Sequence, residues 1–169
     1  SIPLTCNLTG SGYLTVNGTD NLYGIKGSLD IPYTVAISNL RTSDYSVLEG
    51  QDKEIACQWS HSAVLGSQPI PINNTEIRVR LIKDGNVYLA KDIPYGVMEP
   101  GSHFKATTLS THNLPIGAYL LRIQIIQYAS EHVLGTVEAI FNVNPASSPT
   151  GGGGGYYPTP TIAAFNIPT

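Results

Sequence analysis

Few side chains in this sequence have the type and spacing to do chemistry, and those that do point to covalent modification. Asn7 in NLT, Asn17 in NGT and Asn73 in NNT each satisfy the N-x-[ST] acceptor pattern with no proline between. That pattern joins glycans to asparagine amides on the surface of secreted proteins. The two cysteines, Cys6 and Cys57, are far apart and lack any CxxC or histidine spacing suited to zinc. They read as one disulfide tying the N-terminus to the body, with two unrelated thiols as the alternative. A loop of that length is worth about 4 kcal/mol when closed. The four histidines, His61, His103, His112 and His132, are scattered and form no HExxH or neighbouring metal pair.

Enzymatic machinery is not legible. There is no GxSxG elbow, Walker loop or dinucleotide fingerprint. GGGGG at 151–155 is no phosphate cradle, because neither a helix pattern nor a lysine follows it. Paired carboxylates facing each other on a sandwich could cleave a glycoside. Of the 12 Asp and Glu, however, several sit beside turns, as Asp20, Asp44 and Asp84 do, where local hydrogen bonding is their expected use. The histidines are likewise expected at the surface or in turns. No catalytic residue, metal or cofactor is assigned.

Composition sets the frame around these residues. The chain has 169 residues and is 41% hydrophobic but only 12% charged, against about 25% charged in an average soluble domain. Its polarity comes from Ser, Thr, Asn, Gln and Tyr, a surface that suits an extracellular wall or sheath and that glycans would help to keep soluble. A net charge of −3 without a Lys/Arg cluster argues against nucleic acid as a partner. No apolar run approaches the roughly 20 residues that a spanning helix needs. Starting at Ser1 fits removal of a secretion signal, although any trimmed chain would look the same.

The elements that must position these residues are strands. EIRVRLI at 76–82 puts Ile77, Val79 and Leu81 on one face and Arg78 and Arg80 on the other, the alternation of a half-buried strand. Asp84-Gly85 then turns the chain back as a hairpin. GAYLLRIQIIQY alternates Leu121, Ile123 and Ile125 against Arg122 and Gln124, and GTVEAIFNV alternates Val137, Ala139, Phe141 and Val143. YLTV at 13–16, YTVAISNL at 33–40 and KEIACQWS at 53–60 are further strands. Trp59, beside a cysteine on an apolar strand, is expected in the core rather than stacked on a sugar. No useful stretch carries a 3.6-residue stripe. The chain therefore reads as all-β, an Ig-like antiparallel β-sandwich with an extended C-terminal tail.

Several of these stretches together resemble a known domain. The shared pattern is a Gly before an I-x-x-x-W strand (Ile55, Trp59), V-x-L (Val79, Leu81), P-x-G-x-Y-x-x-R-I (Pro115, Gly117, Tyr119, Arg122, Ile123) and a closing F-x-V. It resembles the Ig-like domain of secreted fungal Ser/Thr-rich cell-wall proteins, the group that includes the yeast cell-wall β-glucan synthesis family. The resemblance spans about half the chain; the first 45 residues and the family's Ser/Thr-rich stalk have no counterpart. It implies a sandwich, secretion and a wall or sheath setting, and it brings no catalytic residues.

After Val143 the composition breaks. Residues 1–145 form the sandwich domain, 146–160 a Gly/Pro/Thr-rich flexible spacer, and 161–169 a strand without a local partner. In that last segment Ala163, Phe165 and Ile167 share one face and Ile162, Ala164 and Asn166 the other. Thr159 and Thr161 in the Pro-Thr stretch are O-glycosylation candidates. The strand could fold back, dangle, or enter the sheet of another copy. Asn144 to Pro160 spans about 23 Å as a coil and about 55 Å extended, against a domain about 40 Å across. It can reach a neighbour. The expectation is a secreted extracellular fibril subunit that donates its C-terminal strand head-to-tail, in plan like donor-strand pili, its partners being other copies of itself and covalent glycans. The alternative is a monomeric secreted cell-wall glycoprotein or polysaccharide-binding module.

Sequon use has a direct readout. Passed through a eukaryotic-type secretory route, the chain is expected to run above its 18.1 kDa polypeptide mass and to fall toward it after enzymatic removal of N-glycans. An unchanged mass would show the asparagines to be unmodified.

Overall fold

A computed structural model describes residues 10–19, 23, 26–128 and 131–146. The strands are β1 Gly10–Thr19, β2 Lys26–Arg41, β3 Tyr45–Leu48, β4 Asp52–Leu65, β5 Gln68–Pro69, β6 Ile72–Lys83, β7 Asn86–Met98, β8 Gly101–Ser110, β9 Gly117–Gln127 and β10 His132–Asn144. There is no α-helix among the described residues. One sheet runs β1-β2-β4, with β5 and β8 also paired to β4; the other runs β3-β10-β9-β6-β7. All pairs are antiparallel except β3 with β10. This is an all-β, Ig-like sandwich.

Alternation explains the layers. Ile77, Val79 and Leu81 of β6 and Leu121, Ile123 and Ile125 of β9 are buried side by side in register, Ile77 opposite Ile125 and Leu81 opposite Leu121. Phe141 and Val143 of β10 extend that inner face, and Ile55, Cys57 and Trp59 of β4 meet it from the other sheet. Trp59 is 2% exposed, the core position expected of it. Its indole N–H donates to the Met98 sulfur at 3.4 Å, so burial leaves no orphan donor. The outer face of β6 and β9 carries the arginines: Arg80 pairs with Asp92, Arg78 with Glu131 at 3.0 Å, and Arg122 with Glu138 at 2.8 Å. These exposed pairs order a surface more than they stabilise it.

Turn chemistry follows the residues present. Asp84 and Gly85 both have positive φ, 51° and 77°, the conformation of a two-residue hairpin matched to strand twist. Ahead of β9, the buried Tyr119 hydroxyl donates to the Pro115 carbonyl four residues upstream. That is the tyrosine corner found in Ig-like sandwiches, at the start of the equivalent strand.

One crossing shapes the rest. β2 pairs with β4 as far as Arg41, opposite Gln58, after a register shift at Ser38 and a positive φ at Asn39. The chain then changes sheets and runs parallel to β10 as β3. β4 loses its neighbour there, and side chains replace it. The Ala56 N–H donates to the Tyr45 hydroxyl at 2.8 Å, while the Ala56 carbonyl accepts from Thr42 at 2.7 Å and from Tyr45 at 3.1 Å.

Replacing Tyr119 with Phe keeps the ring and leaves the Pro115 carbonyl without its donor. The expected cost is about 1–3 kcal/mol, read as a lower urea midpoint at unchanged m-value; wild-type stability would remove the corner's role.

Candidate functional site

The crossing leaves a gap in the sheet that contains β10. β3 covers β10 only from Phe141 to Asn144. Strand geometry says which backbone groups face the uncovered side, because successive residues of an antiparallel strand direct their N–H and C=O groups to opposite neighbours. The Asn144 carbonyl accepts from the Glu49 N–H at 2.8 Å, and the Ile140 N–H donates to the Asp44 carboxylate at 2.8 Å. Even-numbered residues therefore face away from β9. The Ile140 carbonyl is taken up by the start of β3, where Phe141 registers with Tyr45, but both backbone groups of Glu138 and Thr136 have no backbone partner on that side among the described residues. Asp44 closes the end of the row.

Behind this edge lies apolar surface. Val137 and Ala139 of β10, Leu134 at its bulge, and Ile37 and Leu40 of β2 are half-buried against the core. Gly135 permits the close approach of β2: a Cβ there would stand 3.1 Å from Leu40 Cδ2 and 3.2 Å from Ile37 Cγ2. The site is thus a bare sheet edge with an apolar rim, which can pair with an extended peptide.

Two other features stand apart from this edge. Asn39, Arg41, Gln58, Ser60 and Ser102 line an open polar cleft of about 350 Å³, with Trp59 and His103 at its floor. The Arg41 guanidinium donates to the Gln58 side-chain carbonyl. Phe104, paired across strands with Gln58, is 64% exposed beside it. At the same end of the sandwich is an aromatic cluster. His103 stacks on Trp59 at 5.3 Å between ring centroids, with Tyr95 edge-on to both. The Glu99 carbonyl, 2.7 Å from His103 Nε2, can only accept. Nε2 therefore carries the proton, and Nδ1 accepts from the Tyr95 hydroxyl at 2.9 Å.

The expected site residues are distributed as follows. Asn17 on β1 and Asn73 on β6 are exposed, as glycan acceptors must be. The Thr75 hydroxyl of the second sequon is buried and donates to the Gly96 carbonyl at 2.9 Å. Cys57 is buried and forms no disulfide among the described residues; as a thiol its pKa is pushed up by burial to about 11, which makes it a poor nucleophile. Its expected disulfide partner Cys6 lies outside the described residues. So do Asn7, Asp20, the O-glycosylation candidates Thr159 and Thr161, and the strand residues Ile162, Ala163, Phe165 and Ile167. Among the described residues, Asn17, Cys57 and Asn73 stand on three different strands, β1, β4 and β6.

Two expectations are corrected. Asp44 does not serve a local turn; its carboxylate caps β10 at Ile140, far along the chain. His61 is not at the surface: it is 3% exposed, and neither ring nitrogen makes a hydrogen bond of good geometry. Its place on the inward parity of β4, with Cys57, Trp59 and Ala63, was the signal available. Among the described residues, no group of His, Cys, Asp and Glu is arranged to hold a metal, and no helix is long and apolar enough to cross a membrane.

No protein-family profile matches this sequence, and no curated protein is similar to it. Solved structures similar to it include the CARDB domain of PF1109 from Pyrococcus furiosus in solution, at 16% identity and TM-score 0.40, covering 68% of this chain and 95% of that one. The crystal structure of that CARDB domain in complex with di-metal ions matches at 13% and 0.40, covering 67% and 93%. A family 123 glycoside hydrolase from Clostridium perfringens matches at 12% and 0.43, covering 68% and 28%. At these identities and scores the likenesses add nothing to what the strand topology itself shows.

Burial lowers the pKa of His61, while the backbone carbonyls of Glu99 and Met98 partly restore it and neighbouring His103 opposes the charge. The unfolded chain therefore takes the proton first, and stability is lost as pH falls through about 6.5, the ordinary histidine value. Thermal melts between pH 7.5 and 5 are expected to show a smaller fall for His61→Phe than for the parent. Equal slopes would show that His61 does not contribute.

Proposed function

We propose that this protein is a structural subunit of an extracellular, glycosylated fibril or sheath that polymerises head-to-tail by donating its C-terminal strand to a neighbouring sandwich. The observation that carries the reading is the bare edge of β10, where Thr136 and Glu138 have no outer backbone partner among the described residues and lie beside half-buried apolar side chains. A donated strand needs such an edge. Burying Phe165 and Ile167 stabilises by about 1.5–3 kcal/mol each, while ordering the backbone costs about 1–2 kcal/mol per residue. Side-chain burial alone does not cover that cost, and new backbone hydrogen bonds must supply the difference. The spacer's reach exceeds the domain's width, so donation to another copy is sterically open. Such a contact joins different surfaces of successive copies and propagates as a filament unless it closes a ring.

The support is of three kinds: a low-charge composition rich in uncharged polar residues, exposed sequon asparagines at 17 and 73, and an edge able to accept a strand. Secretion and glycan shielding fit the same picture, because a chain with so few charges has little electrostatic repulsion to hold copies apart.

A second reading, a monomeric wall protein that binds polysaccharide, is favoured by the polar cleft at Arg41 and the exposed Phe104 ring beside it. Arg41 and Gln58 offer donors and acceptors to sugar hydroxyls, and the ring offers a stacking surface.

Sedimentation and negative-stain microscopy of the full chain against one shortened after Ala146 separate the two. Fibrils from the full chain and monomers from the shortened one are expected. An unchanged monomer in both, retaining polysaccharide binding that Arg41→Ala abolishes, would replace the first reading by the second.

A further inference from the structure

We infer that the strand donated in the reading above, on which this inference rests, is received by the β10 edge between Thr136 and Ile140. β10 is the edge where open backbone and apolar surface coincide. Four residues of extended chain there, Thr136 to Ala139, offer about 13 Å of pairing, bounded at one end by Ile140, whose N–H meets Asp44 and whose carbonyl meets β3, and at the other by the bulge between Val133 and Gly135. The tail run from Ile162 to Ile167 is about 20 Å long when extended. Set against β10 with its larger face inward, it brings Ala163, Phe165 and Ile167 toward Ile37, Leu40 and Val137. The run is uncharged, so it enters without stranding an ion on the rim.

The edges on β7, β8, β1 and β2 are poorer acceptors for stated reasons. β7 contains Pro94, which has no N–H, and its register slips near Gly96. Its Lys91 ammonium donates to the Thr108 carbonyl of β8 at 2.8 Å, which ties these two edges to each other. β1 is exposed along most of its length, Tyr13 at 72%, so a strand added there gains little burial. Residues 36–41 of β2, beyond the last β1 pair at Val35, also lack an outer partner among the described residues. That stretch is broken by the positive φ of Asn39 and the register shift after Ser38, and an even ladder cannot form on it. Charge, proline or a bulge protects natural edges; here Asp44 caps one end at Ile140, and the Glu138 carboxylate is held over the outer face by Arg122, which leaves the backbone of Thr136 and Glu138 open.

The parity of β10 gives a selective test. The Thr136 N–H faces the open side, so Thr136→Pro removes a donor from the accepting edge while the ladder to β9 stays intact. Phe165→Asp disables the donated strand. In full-length chains, each variant alone is expected to sediment as a monomer, with the parental far-UV circular dichroism. Mixed, they are expected to form a discrete one-to-one dimer, because one can donate and the other can accept. Should Phe165→Asp polymerise like the parent, strand donation by the tail fails and the edge assignment falls with it. Should Phe165→Asp be monomeric while Thr136→Pro polymerises normally, donation stands and the β10 edge is wrong. If Thr136→Pro does not fold, a second arm decides. Glu138→Cys combined with Ala164→Cys places both thiols on the outer face, and oxidation of polymers is expected to yield a covalent ladder absent from each single variant. Polymers that give no ladder overturn the assignment.

Discussion

The passage of the chain from one sheet to the other between Arg41 and Tyr45 is the constraint on which the rest of this fold depends. A strand inside a sandwich must have its backbone groups paired on both sides, and an orphaned buried amide costs about 1–3 kcal/mol. When β2 departs, β4 would be left with such orphans at Ala56. The Tyr45 and Thr42 hydroxyls fill both the donor and the acceptor role there. The same crossing fixes the length of β3. Only Tyr45–Leu48 remains to pair with β10, and the half-covered β10 edge is the direct consequence.

Packing and polarity divide cleanly across the sandwich. β6 and β9 lie side by side in the sheet, and their inner faces are almost fully buried, so the stabilising hydrophobic burial is concentrated in the strands interior to the open edge. The open side holds half-buried residues and a glycine that lets β2 lean in. A polypeptide added there would find the core already assembled. It would extend an existing inner face without having to create one, so the proposed strand donation does not require the domain to unfold. His61 and the His103–Trp59–Tyr95 cluster lie on β4, β7 and β8, and the pH response of His61 belongs to the fold's stability.

Low charge connects surface to assembly. Arg78, Arg80 and Arg122 are tied to carboxylates on the outer face of the β10-containing sheet, leaving little net field to keep molecules apart. In most soluble proteins an uncovered edge with an apolar rim would be an aggregation hazard. Under the proposed strand donation the hazard becomes a directed contact, and glycans at Asn17 and Asn73 would limit the undirected ones.

The alternation of Ile77, Val79 and Leu81, of Leu121, Ile123 and Ile125, and of Phe141 with Val143 determined their strands and inward faces from sequence alone, because burial on one side of a pleated strand imposes a period of two. Asp84-Gly85 likewise dictated its hairpin through the positive φ that the turn demands. β8 escaped notice because an edge strand buries little, and its inward residues His103, Lys105 and Thr107 are polar. β3 was too short to show a period. Tertiary structure alone decided that Asp44 reaches Ile140, that His61 is buried, and that β10 lacks an outer backbone partner from Thr136 to Ala139 among the described residues. Each depends on which distant strands become neighbours, and a one-dimensional pattern of residue types carries the faces of strands but not the identity of the strands beside them.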